Sequence, residues 1–311
     1  MIANLHSHLE GRVRPATAAE LAAELGLPGA DWERALELDA PADLTVYLAK
    51  VAASYPFFAE PAALARITRE AVVDAAADGQ DYLELRFGPT THVRPGTDLD
   101  AVVAAACAGL AEGVAESGIR AGLVLAALRH EGGDTARAVA EAAVRADGVV
   151  GFDLAGDELR FPELEPYAPA FGIAAAGGLG LTCHAAEAAP GAAALQALDL
   201  LGVSRIGHGA HVAGDPAVLR AVAERGAVIE ICPTSNVFTG AVASVAAHPA
   251  PVFVEAGVRV VLGDDNPRQT GSPLSRERTI AASLGVDLAA LDAASLDAAF
   301  LTDSERRALT G

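Results

Sequence analysis

Four short polar patterns break an otherwise apolar, alanine-rich chain: His6-Ser7-His8, His184-Ala185-Ala186-Glu187, Gly207-His208-Gly209 and Gly263-Asp264-Asp265-Asn266. Each follows an apolar run with strand character. Residues two apart on a strand point the same way, so His6 and His8 can address one ion. Zinc accepts imidazole and carboxylate ligands, and a catalytic zinc keeps one position for water. His6, His8, His184 and a carboxylate from Asp264 or Asp265 therefore form a candidate zinc site. Water held there would have a pKa of about 7, and something must then carry protons. Glu187, three residues after His184, is the candidate proton carrier. His208 is the candidate that orients the water, and its flanking glycines let a ligand approach the backbone. Plainer readings exist for each alone: a satisfied buried histidine, a carboxylate favoured at a helix amino terminus, a loop histidine. Three histidines and a carboxylate at successive strand ends favour the metal.

The elements that must position these groups can be read from the same chain. Apolar runs bounded by Gly, Pro or polar residues predict eight strands, at 2–8, 81–87, 121–127, 149–154, 178–184, 203–207, 227–232 and 258–263. Helical patterns lie between most of them, at 98–117, 133–146, 190–201 and 215–225. Alternating β and α units imply a parallel sheet with right-handed crossovers, and eight units suggest closure into a (β/α)8 TIM barrel. A Rossmann-type sheet is disfavoured, because no Gly-x-Gly-x-x-Gly follows an early strand. Barrel sites are built at the carboxyl ends of the strands, where all four patterns fall. The long connection 9–80 is predicted to hold extra helices. Thr17 to Glu20 reads as a capping box opening one of them. This insertion leaves the rim of the barrel and could be a lid over the site or ordinary packing on its flank.

Bulk properties bound the rest. With 311 residues, 52% hydrophobic and 20% charged, one barrel domain over 1–311 is expected. A net charge of −19 argues against nucleic acid or anionic membrane as a partner and leaves a small molecule. The three cysteines are odd in number and widely spaced, which disfavours a disulfide framework. With no basic leader and no long apolar span, a cytoplasmic protein is expected.

Taken together, the motifs resemble the adenosine deaminase family of metal-dependent aminohydrolases. The residues that carry the resemblance run in order: His6-Ser-His8-Leu-Glu-Gly11, Glu84-Leu-Arg86-Phe, Asp153-Leu-Ala-Gly156-Asp-Glu158, His184-Ala-Ala-Glu187, Arg205-Ile-Gly-His208-Gly and Cys232-Pro-Thr-Ser-Asn236. The resemblance implies one zinc held by His6, His8, His184 and a strand-eight aspartate. It implies hydrolytic deamination of a 6-aminopurine nucleoside, adenosine to inosine in type. Glu187 would protonate a ring nitrogen, His208 would steady the attacking hydroxide, and the Gly156 N–H would donate to the base. Free adenine, or a modified nucleoside such as aminodeoxyfutalosine, is the alternative substrate.

The chain departs from the family at the last motif. Relatives carry Thr-Asp-Asp-Pro where this chain has Asp264-Asp265-Asn266-Pro267. Gapless alignment makes Asp265 the metal ligand and Asn266 the base contact; a one-residue slip would give those roles to Asp264 and Asp265. Glu10 stands where a shorter Asp is expected to reach a ribose hydroxyl. Glu84 and Arg86, on one strand face, are expected to pair with each other. A binuclear amidohydrolase of the phosphotriesterase or dihydroorotase type would need a lysine at strand four, and Gly151-Phe-Asp-Leu-Ala-Gly156 has none. A catalytically silent binding relative would be expected to have lost a ligand or Glu187, and all are present.

Overall fold

The computed structural model describes residues 1–29 and 31–310. Eight parallel strands run in chain order around a barrel: β1 Ala3–His8, β2 Tyr82–Phe87, β3 Arg120–Leu128, β4 Val149–Ala155, β5 Gly180–Ala185, β6 Arg205–His208, β7 Val228–Ile231 and β8 Arg259–Leu262. The expected strands overlap these to within a few residues. Closure occurs just past β8, where the His8 N–H donates to the Asp265 carbonyl at 2.7 Å and the Asp265 N–H to the His6 carbonyl at 2.9 Å. Gly263 makes this closure possible, since a Cβ there would lie 2.4 Å from the Cβ of His6. β4 and β5 pair over only Gly151↔Gly180 and Phe152↔Leu181, so the barrel is open between their carboxyl ends. Arg129 bridges that gap, donating to the carbonyls of His184 at 2.9 Å and Phe161 at 3.0 Å.

The insertion between β1 and β2 forms α1 Pro15–Glu24, α2 Trp32–Ala35, α3 Leu44–Ala52 and α4 Pro61–Ala77. Helix α1 begins at Pro15, two residues before the expected capping box, because proline fits the first helical position and its missing N–H costs nothing there. Thr17 is instead buried and donates to Glu70 of α4 at 2.7 Å, while Glu20 pairs with Arg66. Helices α1 and α4 pack on the barrel flank. Helix α3, by contrast, covers its mouth and buries only Tyr47 and Val51.

The remaining helices include α5 Leu99–Ser117, α6 Gly132–Arg145, α7 Ala168–Ala176, α8 Ala192–Leu201, α9 Pro216–Glu224, α10 Pro233–Phe238, α11 Ala250–Glu255, α12 Pro267–Thr270 and α13 Leu274–Ser283. Most clothe the barrel and enclose an apolar shell between helices and strands. The barrel interior itself is polar. Arg86 is fully buried and reaches Asp153 and Glu230, each at 3.0 Å, while Glu84 pairs with Arg205. The expected Glu84–Arg86 pair therefore does not form. The two side chains occupy successive layers of the barrel, and each reaches across to other strands rather than along its own. Phe300 caps the amino-terminal end, its ring centre 3.5 Å from the Arg205 guanidinium carbon and its N–H donating to Glu84 at 2.6 Å. Among the described residues no helix is long and apolar enough to cross a membrane.

Candidate active site

Three strand ends share an uncommon backbone. Among the described residues, the only non-glycine positions with positive φ are Ala186 at 56°, His208 at 64° and Asp265 at 55°. They follow or end β5, β6 and β8. Such a conformation costs on the order of 1–3 kcal/mol each and persists only where surrounding structure enforces it. Its effect is to break strand alternation, so the side chains after β5, β6 and β8 are not aimed by the pleat.

At the floor of the mouth the imidazole nitrogens converge. The Nε2 atoms of His8 and His184 lie 3.2 Å apart, and ligand atoms of His6, His8 and His184 all fall within 4.8 Å of one another. Asp265 Oδ1 lies 3.3 Å from His8 Nε2 and 3.7 Å from His6 Nε2. Carboxylates behind the rings fix their tautomers. Glu230 Oε2 already accepts from Arg86, so His6 Nδ1 at 2.6 Å must donate to it, leaving His6 Nε2 with a bare lone pair. Asp153 lies 3.0 Å from His184 Nδ1 in the same way. His6 Nε2 is buried without a hydrogen-bond partner, an expensive arrangement unless something electropositive occupies the point it faces. Burial, reinforced by the charge of Arg86, holds His6 well below its ordinary pKa. Burial also pushes His8 down to about 3, against the pull of Asp265. Burial opposes charge on His184 too, but the Asp153 carboxylate outweighs it and raises that pKa. The donor set of mostly neutral imidazoles and one carboxylate fits a divalent zinc.

The two neighbouring aspartates face opposite ways. Asp265 turns toward the imidazoles, and its other oxygen accepts from the Tyr47 hydroxyl at 2.9 Å and from Ser235. Asp264 points away and pairs with Arg12 at 2.5 Å. Glu187 is 7% exposed, beside the cluster, with Oε2 3.8 Å from His208 Nε2. Burial and the nearby Asp265 charge push its carboxyl up to about 8, so it holds a proton at pH 7. The loop carrying it is pinned by Glu158, which accepts from the N–H groups of Ala186 at 2.9 Å, Ala188, and Ala189 at 2.8 Å. His208 receives a hydrogen bond from Asn236 at 3.0 Å.

A cavity of about 520 Å³ opens above this floor, within the range of small-molecule sites. Glu10, Gly156 and Asn266 line it, as do α3 residues Leu44, Leu48 and Val51. Gly156 has φ of 113°, which a side chain would strain, so its backbone can present itself to a ligand. Asn266 Nδ2 donates to Asp265 Oδ1 at 2.9 Å. Glu10 Oε1 is shared by the Gly88 N–H and His92 Nε2, both at 3.3 Å. Sequence reasoning assigned no role to Tyr47, Glu230 or Asn236. Glu230 did leave a signal: it is a lone carboxylate inside the apolar run Val228-Ile229-Glu230-Ile231.

Known proteins resemble this chain along nearly its whole length. The family model for adenosine deaminase matches residues 2–311. An adenosine deaminase of Shewanella loihica is 35% identical over 99% of this chain and 96% of its own. An adenine deaminase of Rhizobium leguminosarum is 34% identical over 98% and 96%. Among solved structures, an adenine deaminase from Arthrobacter aurescens superposes with a TM-score of 0.90 at 28% identity, over 99% of this chain and 96% of that one. An amidohydrolase from Burkholderia ambifaria with bound Zn gives 0.89 at 27%, over 99% and 88%.

Proposed function

The chain belongs to the adenosine deaminase family of aminohydrolases, and on that premise we propose that it deaminates a 6-aminopurine nucleoside with one zinc held by His6, His8, His184 and Asp265. The whole chain acts as one barrel domain, and its free cysteines suit a reducing cytoplasm. When bound, zinc supplies Lewis acidity and makes water available as a nucleophile near neutral pH. The chain's own residues do the rest. Glu187, protonated at pH 7, delivers its proton to the ring nitrogen beside the amino-bearing carbon, so charge does not build on the ring as water adds. Now a carboxylate, it takes one proton from the added oxygen and passes it to the amine, which leaves as ammonia; as the carbonyl forms, the oxygen's remaining proton returns to Glu187 and restores its acid form. His208, close to Glu187, steadies the developing oxyanion. Gly156 N–H and Asn266 orient the base, and Glu10 faces the sugar side. Asn266 always carries a donor, so it can serve a neutral ring nitrogen without first gaining a proton.

The observation that carries this reading is the meeting of a buried Glu187 carboxyl with an imidazole cluster whose ligand atoms converge on one point. An ammonia-release screen over adenosine, deoxyadenosine, adenine and 5′-modified adenosines tests it, with metal analysis alongside. Turnover of a 6-aminopurine with one zinc per chain is expected. No ammonia from any of them would overturn it.

One feature favours a modified nucleoside as a second reading. The outer cavity is walled by Leu48, Val51, Leu128 and Phe161, with Arg160 and His130 at its edge. An apolar substituent ending in an anion fits that wall better than a bare ribose does, and the 5′-modified arm of the screen separates the two.

A further inference from the structure

Four imidazoles crowd the floor of the cavity, and distance alone does not sort them. His6, His208 and Asp265 also present ligand atoms within 4.8 Å of one another, as His6, His8 and His184 do. What separates His208 is the group behind it. His6 and His184 are backed by carboxylates, which accept; His208 is backed by an amide, whose direction is set further away.

That direction can be derived from one atom that cannot turn round. The Ala250 backbone N–H donates to His248 Nδ1 at 3.1 Å. A backbone N–H is always a donor, so Nδ1 of His248 carries no hydrogen. Burial holds His248 at a pKa of about 4, so the ring is neutral and its hydrogen sits on Nε2. His248 Nε2 lies 3.1 Å from Asn236 Oδ1, which accepts it. The amide is thereby oriented, with no freedom to exchange oxygen and nitrogen. Its Nδ2 must then point at His208 Nδ1, 3.0 Å away, which accepts in turn. His208 is left with its hydrogen on Nε2, on the side of Glu187 and the other imidazoles. All three side chains are buried, with Asn236 and His248 0% and 4% exposed, so water does not scramble the order.

We propose that His248 and Asn236 are positioning residues that lock His208 as a hydrogen-bond donor toward the reacting centre and so bar it from ligating the metal. The inference rests on the deaminase reading for what His208 donates to, but not for the tautomer itself. A ring backed by a carboxylate offers a lone pair inward and binds an ion; a ring backed by an oriented amide offers a hydrogen inward and binds an oxyanion. The same side chain is thus given opposite roles by what stands behind it.

The test is two-bond ¹H–¹⁵N correlation spectroscopy of the histidine-labelled, zinc-loaded enzyme, with steady-state kinetics in parallel. Wild-type His208 is expected as the Nε2–H tautomer. In His248→Phe the amide is released, and in Asn236→Asp a carboxylate faces His208 Nδ1. Both should move the hydrogen to Nδ1 and lower kcat about a hundredfold with KM little changed. His248→Gln, which retains both a donor and an acceptor, should restore the wild-type tautomer. His208 found with its hydrogen on Nδ1 in the wild type, or unmoved in both disrupting variants, would overturn the proposal. The expected tautomer in an enzyme that deaminates no aminopurine would instead sink the deaminase reading and leave the relay standing.

Discussion

Asp264 and Asp265 are adjacent carboxylates, and the positive φ of Asp265 sends them to different work. Asp265→Ala should lose zinc, read as metal content after dialysis against a weak chelator. Asp264→Ala should keep zinc but strand the buried Arg12, costing on the order of 3–5 kcal/mol in denaturant unfolding. If Asp264→Ala lost the metal and Asp265→Ala did not, the ligand assignment would be reversed. Glu187→Gln should retain zinc and lose about 10²- to 10⁴-fold in kcat, because the amide has no proton to deliver and return; near-normal turnover would remove Glu187 from the chemistry. The histidines and Glu187 could be found from sequence because each sits at a predictable strand end. The choice between the aspartates could not be made from alternation, since Asp265 has left the pleat. Pairing partners inside the barrel, such as Arg86 with Asp153 and Glu230, depend on tilt and stagger that a one-dimensional pattern does not contain.

Helix α3 shows the same limit one scale up. The sequence predicts extra helices over 9–80, and two are ordinary packing, but nothing in the pattern says that Tyr47 would pass through the cavity wall to reach a carboxylate at its floor. Its hydroxyl joins the cover to Asp265. Tyr47→Phe removes only that oxygen. It should weaken zinc binding about tenfold, as loss of a partner behind a metal ligand commonly does, and speed amide exchange across Leu44–Ala52. Unchanged zinc affinity and exchange would show that the contact is incidental. Helix starts were legible where a cap or proline marks them, as at Asp215-Pro216, and misread at Thr17, whose hydroxyl had a better partner in Glu70.

For the molecule as a whole, pH acts through buried carboxyls. Glu277 on α13 is 1% exposed and accepts from the Thr234 N–H at 3.1 Å; burial raises its pKa from 4.5 to about 7. Folding therefore favours its protonated form. The stabilising effect is complete below pH 4.5 and is lost as pH climbs through about 7. At about 1.4 kcal/mol per pH unit, the gap amounts to at most about 3 kcal/mol. Glu277→Gln should flatten the decline in unfolding free energy between about pH 5 and 7, measured by denaturant titration; a slope equal to wild type would exonerate Glu277. The Phe300 stopper has another consequence. With the base of the barrel plugged, ammonia born at the floor of the cavity departs toward the mouth, past the spent ring and beside the helix that lies over the entrance.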